Sequence, residues 1–160
     1  MAFREISVEE LKDNPFTLIN KDWMLITAGN REKHNTMTAS WGGVGELWGR
    51  YVSTIYIRPQ RYTLEFVERE DYYSLCFFGP EYRQALNLCG SKSGREVDKD
   101  AATGLTPCFD EAAPYYEQAR LVFLCRKLYR QDLEEGCFLD RAFWKSGTTT
   151  TCTACLLGKL

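Results

Sequence analysis

Several short apolar segments, rich in β-branched and aromatic residues, constrain the fold of this chain more than any other feature. They predict strands over residues 23–29, 37–41, 50–57, 72–78 and 121–129. No regular alternation of strand and helix separates these segments, which argues against a Rossmann-type sheet. We therefore expect a mainly β fold, a small β-barrel with a few peripheral helices.

The segments between these strands predict the peripheral helices and the breaks in the sheet. Helical patterns cover residues 6–11, 61–69, 81–89 and 97–103. Ser7 and Glu10 have the spacing of a capping box at the start of the first helix. Gly42 and Gly43 are expected to end the second strand.

Length and charge narrow the possible classes of function. A chain of 160 residues predicts one domain over residues 1–160. A formal net charge of −2 argues against non-specific nucleic-acid binding through a basic surface. No apolar run reaches the roughly 18 residues of a membrane span, and residues 1–5 lack the apolar stretch of a signal peptide. We expect no nucleic-acid partner, no membrane partner and a cytoplasmic location.

The seven cysteines are odd in number and irregular in spacing. Reduced, buried thiols in a cytosolic protein are therefore the favoured interpretation. Cys152 and Cys155 have the spacing of half a zinc site or a redox pair, but no second pair lies at a zinc-ribbon spacing. Because the single histidine, His34, is distant in sequence, we expect no metal site.

The strongest candidate for a functional site lies between residues 34 and 63. Residues 38–41 combine small and hydroxyl side chains with an indole, which suits the close approach of a flat aromatic ring. Arg58 and Arg61 directly follow the next strand, and two guanidiniums with Thr63 near a helix start suit a phosphate. Alternatively, Trp41 fills the core and the two arginines are solvated on a surface turn.

A second polar segment, residues 91–99, carries basic and acidic side chains around Gly94. It predicts either a solvated loop or a cationic lid over a phosphate. The glycine-rich stretch at residues 42–45 lacks the lysine and the serine or threonine of a phosphate-binding loop, so it does not predict a nucleotide triphosphate site.

Together these segments resemble the flavin reductase-like family, the group with the FMN-binding split β-barrel that includes flavoredoxin. The resemblance rests on the order of several stretches: NTMTASWGG at 35–43, IYIRPQRYT at 55–63, and residues 73–78, 82–86, 89–95, 98–99 and 125–129. It implies a Greek-key-like split β-barrel that forms a homodimer and binds FMN without a covalent bond.

The resemblance also implies which residues hold the FMN. The residues implied to line the isoalloxazine ring are Thr38, Ala39, Ser40 and Trp41. Those implied to hold the phosphate end are Arg58, Gln60, Arg61 and Thr63. Those implied to close over the phosphate or ribityl are Ser93, Gly94, Arg95 and Lys99, with Asn35 at the edge of the motif. No catalytic side chain is implied, because the flavin itself takes hydride at N5.

The implied activity is that of an FMN-binding oxidoreductase, which passes electrons from NAD(P)H through bound FMN to flavin or another acceptor. The sequence has no motif for a tightly bound nicotinamide, so NAD(P)H is expected as a transient donor. Two alternatives stay open: a flavoredoxin-like electron-transfer protein, and a non-enzymatic module that binds FMN or another ligand.

The end of the chain departs from the family pattern. Members usually finish with an Asp-Tyr-His segment and a final strand, whereas residues 147–155 read GTTTTCTAC. Every threonine codon is ACN, so a frame read one nucleotide earlier gives NAC, which encodes Asp, Asn, His or Tyr. We hypothesise that a frameshift replaced the last strand from about residue 148. Residues 148–160 would then be an atypical tail that is disordered or packs poorly, with weaker FMN binding.

Overall fold

A computed structural model describes residues 3–140 and the backbone of one further strand at residues 151–157. In this described part of the chain, nine strands form two sheets. The strands are β1 (Met24–Gly29), β2 (His34–Ala39), β3 (Gly42–Leu47), β4 (Arg50–Ile57), β5 (Tyr72–Phe77), β6 (Pro107–Cys108), β7 (Tyr115–Tyr116), β8 (Leu121–Asp132) and β9 (Thr151–Leu157). The prediction of a mainly β fold is confirmed.

The helices are short and connect the strands. The α-helices are α1 (Pro15–Thr17), α2 (Thr63–Arg69), α3 (Arg83–Ser91) and α4 (Lys99–Thr103). Single 3-10 turns cover Val8–Glu10, Pro80–Tyr82 and Glu135–Cys137, and a π-helical turn covers Leu18–Asp22. Each of the four helical segments predicted from sequence overlaps one of these elements, and α3 runs two residues past the predicted end at residue 89. Among the described residues, no helix has the length and hydropathy needed to span a membrane.

Seven strands form one sheet in the order β2-β1-β5-β8-β9-β4-β3, and all neighbours are antiparallel. Strands β6 and β7 pair with each other in a separate small sheet. Strand β1 is buried from Met24 to Ala28, with Leu25 and Ile26 in different apolar clusters. Since neighbouring residues of a strand point to opposite faces, β1 is covered on both sides, which explains its continuous apolar sequence.

Two apolar clusters hold the fold together, one on each face of the central strands. The larger cluster includes Ile55, Phe77 and Phe123, which are fully buried, and helix α2 adds Phe66 to it. The second cluster lies between the sheet and helix α3, which contributes Leu86. These contacts fix α2 and α3 beside strands β1 and β2.

The glycine pair at residues 42 and 43 corrects one prediction. Gly42 and Gly43 do not end a strand: they begin β3, where they pair with Ile55 and Thr54 of β4. A Cβ on Gly42 would lie 2.6 Å from the Thr54 carbonyl oxygen, so this close backbone approach requires glycine. The hairpin closes through Trp48 and Gly49, both with positive φ, as a type I′ turn demands.

The tail also differs from expectation. A lost last strand was expected, yet the backbone of Thr151–Leu157 forms β9, which pairs with β4 on one side and β8 on the other. Backbone hydrogen bonding depends little on side-chain identity, and β-branched threonine favours strands, so this sequence is compatible with a strand. Residues 148–150 and 158–160 lie outside the described residues, and the frameshift stays a hypothesis for the coding DNA to test.

The cysteines differ in their surroundings. Among the described residues that form no disulfide, Cys76, Cys89 and Cys125 are buried, Cys108 is partly buried and Cys137 is exposed. The side chains of Cys152 and Cys155 lie outside the described residues. Within the described residues, no group of three or more His, Cys, Asp or Glu side chains is placed to hold a metal ion.

Candidate functional site

A cavity of about 290 Å³ lies where the ends of β2 and β4 meet. Four strands separate β2 from β4 in the sheet order, so the sheet must curl strongly for both to line one cavity. The residues that line it are Met37, Thr38, Ala39, Ser40, Trp41, Tyr56, Arg58, Gln60 and Arg61. Residues 38–41, predicted to approach a flat ring, and the turn after β4 therefore come together in space.

Of the two arginines that line this cavity, Arg58 has a buried hydrogen-bond donor that no described residue uses. Its guanidinium carbon lies 4.8 Å from the centroid of the Trp41 ring. Its Nε is buried, and no described residue accepts a hydrogen bond from it. Because a buried donor without an acceptor costs about 1–3 kcal/mol, this atom suits an anionic acceptor. Trp41 is 45% exposed, so it does not merely fill the core.

Arg61 lines the same cavity but is already engaged by the protein. Its Nη1 donates to the Gly90 carbonyl oxygen at 2.6 Å, and its Nη2 donates to the Cys89 carbonyl oxygen at 3.3 Å. Both carbonyls belong to the last turn of α3, where helical carbonyls lack intrahelical partners. Burial, together with the charge of Arg58, lowers the pKa of Arg61, although a guanidinium stays charged at neutral pH.

Lys99, expected in a lid, is instead buried at the start of α4, with only 6% of its surface exposed. Its Nζ donates to the Thr36 carbonyl oxygen of β2 at 2.6 Å and to the Cys89 carbonyl oxygen at 3.1 Å. Burial lowers the pKa of Lys99 to about 8. Lys99 therefore joins β2, α3 and α4 and does not line the cavity.

Asn35 and Thr63 are also buried and do not line the cavity. Asn35 Nδ2 donates to Thr63 Oγ1 at 2.7 Å, which links β2 to the first residue of α2. A Cβ on Gly94 would collide with Asn35 Oδ1, so the segment after α3 packs directly on this amide. These three predicted site residues lie close to one another, but they do not line the cavity.

The remaining lid residues, Ser93 and Arg95, have partners in the protein. Ser93 Oγ accepts a hydrogen bond from the Arg95 backbone N–H at 3.2 Å. Arg95 pairs with Glu65 of α2, and its guanidinium carbon lies 4.2 Å from the Tyr62 ring centroid. The segment is therefore held against α2, and neither side chain lines the cavity.

Thr38, Met37 and Tyr56 complete the walls. Thr38 Oγ1 donates to the Leu86 carbonyl oxygen, which ties this strand to α3. Met37 and Tyr56 were not among the predicted site residues. Tyr56 has a sequence signal, because it alternates with the fully buried Ile55 and Ile57 and must face the other side of β4. We find no comparable signal for Met37.

A second cavity of about 370 Å³ adjoins the first and shares Ser40 and Trp41 with it. Its remaining lining residues are Pro15, Phe16, Ile19, Asn20, Gly42, Gly43 and Val44. Most of these side chains are apolar or absent, and Phe16 is 84% exposed. The indole of Trp41 thus borders a polar cavity with arginines and an apolar cavity with an aromatic wall.

His34, the single histidine, does not line either cavity. Its Nε2 lies 2.7 Å from Asp100 Oδ2, and the Tyr116 hydroxyl donates to Asp100 Oδ1 at 2.7 Å. Burial opposes ionisation of Asp100, but the hydrogen bonds from His34 and Tyr116 lower its pKa below the usual value. This network ties the start of β2 to α4, next to Lys99.

Comparison with known proteins identifies a family. Residues 17–138 match the sequence profile of a family described as "Flavin reductase like domain", which is more than half of the chain. No curated protein matches the chain.

Solved structures share the fold at low sequence identity. A flavoredoxin from Methanosarcina acetivorans has a TM-score of 0.68 and 20% identity, covering 87% of this chain and 67% of its own. An FMN-binding domain of a flavin reductase-like enzyme from Shewanella baltica has a TM-score of 0.70 and 14% identity, covering 98% and 74%. An NADH:FAD oxidoreductase from Streptomyces globisporus has a TM-score of 0.64 and 12% identity, covering 87% and 74%. The predicted split-barrel fold is confirmed by a split-barrel flavin reductase-like structure from Shewanella frigidimarina, with a TM-score of 0.68.

Proposed function

We propose that this chain, which belongs to the flavin reductase-like domain family, binds FMN and acts as an FMN-dependent oxidoreductase. One observation carries the proposal: a half-exposed indole and a guanidinium with a buried Nε, unpaired among the described residues, meet in one cavity between two strand ends. NADH or NADPH is the proposed electron donor, and a free flavin or another acceptor receives the electrons.

The cavity residues fit a mononucleotide with a flat ring and a charged end. Ala39, Ser40 and Trp41 offer small side chains and an aromatic face to the ring, while Arg58 offers a charge-assisted donor to the phosphate. Arg61 adds positive charge at the same end. Bound FMN supplies the hydride and electron chemistry, so the protein needs only to bind, orient and shield it.

The other predicted residues support this site without lining it. Asn35, Thr63 and Gly94 hold β2, α2 and the segment after α3 together, and Lys99 joins β2 to α3. The second, apolar cavity gives a planar electron donor a surface beside Trp41. This division into lining and supporting residues is part of the proposal.

The test mixes purified protein with FMN, removes free flavin by desalting, and records the visible absorption spectrum. We expect flavin bands that bleach rapidly when NADH or NADPH is added without oxygen, and multiple turnovers when free flavin is then supplied. A preparation that stays colourless after FMN contradicts the proposal. The Arg69→Met variant is the matched control, since Arg69 pairs with Glu70 outside the cavity and its loss should leave flavin retention unchanged.

The same experiment separates the electron-carrier alternative. The likeness of the fold to two flavoredoxins supports this candidate. An electron-transfer protein retains FMN and shows a reducible flavin, but nicotinamide alone bleaches it slowly or not at all. In that outcome FMN binding stands and the reductase activity is wrong.

We also propose that the chain forms a homodimer, as the family resemblance implies. Strand β3 lies at one edge of the sheet order, and the β3–β4 hairpin exposes Leu47, Trp48 and Tyr51. Exposed apolar side chains at a sheet edge favour association. Light scattering coupled to size exclusion should give twice the chain mass, and a monomer mass at micromolar concentration would contradict the proposal.

A further inference from the structure

The carbonyl end of helix α3 is held by two buried or half-buried cations. Arg61, which lines the cavity, donates to the Gly90 and Cys89 carbonyl oxygens, and Lys99, which does not line it, also donates to the Cys89 carbonyl oxygen. Lys99 also donates to the Thr36 carbonyl oxygen of β2. One oxygen, that of Cys89, therefore accepts from both cations.

This shared oxygen keeps the two charges close. Arg61 Nη2 and Lys99 Nζ lie 3.3 Å and 3.1 Å from the Cys89 oxygen, so they cannot be further apart than those two distances combined. That separation is shorter than the screening length of about 8 Å at physiological salt, and it runs through protein interior. Arg61 in turn lines the cavity beside Arg58. The charge of Lys99 is therefore felt where an anion would bind.

We infer that Lys99 is a positioning residue that makes the phosphate end of the cavity sensitive to protons, so that FMN binds tightly while Lys99 is charged and more weakly once Lys99 is neutral. The inference rests on the proposed binding of FMN. In this inference, the charge of Lys99 acts on the bound phosphate through the electric field, and Lys99 does not contact the ligand.

Of Lys99, Cys89 and Arg61, only Lys99 changes its charge between pH 7 and 9.5. Burial lowers the pKa of Lys99 to about 8, whereas burial raises the pKa of the Cys89 thiol on α3 to about 11. Arg61, ahead of α2, stays charged. On β2, His34 pairs with Asp100, the neighbour of Lys99 on α4. Between pH 7 and 9.5, Lys99 loses its charge while Cys89 stays neutral.

Linkage fixes the sign of two effects, which are opposite. A bound phosphate dianion favours charged Lys99, so FMN affinity falls as the pH rises through about 8. Without ligand, the unfolded lysine binds its proton up to its ordinary pKa, so the unfolded chain holds more protons above pH 8 and stability rises with pH. If Lys99 had only a structural role, stability would still rise with pH, but FMN affinity would not fall.

The experiment measures the dissociation constants of FMN and of riboflavin, which lacks the phosphate, between pH 7 and 9.5 by quenching of flavin fluorescence. The FMN phosphate is at least about nine-tenths dianionic over this range, because its second pKa is about 6, and the shared ring controls for titration of the flavin itself. We expect FMN affinity to fall roughly three- to tenfold and riboflavin affinity to stay flat. A flat FMN profile overturns the inference while leaving the proposed function intact. Failure of both flavins to bind at any pH overturns both.

Two variants assign the pH dependence to its residue. Lys99→Met should bind FMN weakly at pH 7 and lose the pH dependence, and Lys92→Met, which removes an exposed lysine just after α3, should keep the wild-type profile. A Lys99→Met protein that keeps the profile overturns the inference. If Lys99→Met does not fold, the wild-type comparison of FMN with riboflavin still decides, together with a nitrogen-detected titration of the Lys99 ammonium. A Lys99 pKa that FMN does not raise contradicts the inference.

Discussion

The connection between β4 and α2 carries two arginines that differ in their hydrogen-bond partners. At Arg58, the guanidinium rests on Trp41 and its buried Nε has no acceptor among the described residues. At Arg61, only three residues later, the guanidinium donates to two carbonyls at the end of α3. An arginine that we propose binds the ligand and a structural arginine therefore follow the same strand, and only the local backbone acceptors distinguish them.

The largest expected effect comes from removing the structural arginine. Arg61→Met leaves the Gly90 and Cys89 carbonyls without their charged donor and should lower the free energy of unfolding by roughly 2–4 kcal/mol. Urea unfolding followed by far-UV circular dichroism measures it. Arg95→Met, which removes an exposed arginine paired with Glu65, is the control and should cost less than about 1 kcal/mol. Equal losses in the two variants would contradict the structural role of Arg61.

Removing Arg58 should weaken FMN binding and leave the stability almost unchanged. Arg58→Met removes the donor proposed for the phosphate, so FMN affinity should fall roughly ten- to a hundredfold while the free energy of unfolding changes little. Riboflavin affinity should change much less. Fluorescence titrations with both flavins test this, and an FMN affinity that survives the substitution would assign the anion to another residue.

Among the described residues, two tryptophans are exposed, and comparing them tests the part of the cavity proposed to hold the flavin ring. Trp41 borders both cavities, whereas Trp48 is 90% exposed at the tip of the β3–β4 hairpin. Trp41→Ala should weaken FMN and riboflavin alike, by roughly fivefold, because an aromatic contact contributes about 1 kcal/mol. Trp48→Ala is the matched control and should bind both flavins as the wild type does. A loss specific to FMN in Trp41→Ala would instead indicate that the indole acts through Arg58.

Much of the fold is predictable from the sequence, because strand signals are local. The run of β-branched and aromatic residues gives β4 with the predicted bounds, Arg50–Ile57, and the proximity of residues 38–41 to Arg58 follows from the family resemblance. The β3 hairpin was missed because Gly42 reads as a strand breaker unless the close approach of Thr54 is known. Strand β9 was missed because backbone pairing tolerates a sequence that departs from the family pattern.

The division of the site into lining and supporting residues is not predictable from residue type. Lys99 follows a polar, charged segment, which favours a lid. Nothing in the neighbouring sequence shows that the carbonyl oxygens of Thr36 and Cys89 accept hydrogen bonds from Lys99. Those acceptors lie 63 and 10 residues away in sequence, and folding alone brings them together. Cationic side chains reveal their role only through the acceptors around them.

The smallest expected effect concerns the network that fixes α4 and, with it, Lys99. Hydrogen bonds from His34 and Tyr116 lower the pKa of Asp100 despite its burial, so the stability that Asp100 contributes is present above its unfolded value of 3.8 and is lost as the pH falls through its folded pKa. Asp100→Asn should cost about 1 kcal/mol at pH 7, and this deficit should shrink as the pH falls below about 4. Other carboxylates titrate in both proteins, so the difference between the two urea-unfolding profiles isolates Asp100. A deficit that stays constant from pH 7 to pH 3 would mean that the negative charge of Asp100 does not contribute to stability. The position of Lys99 would then not depend on this carboxylate being ionised.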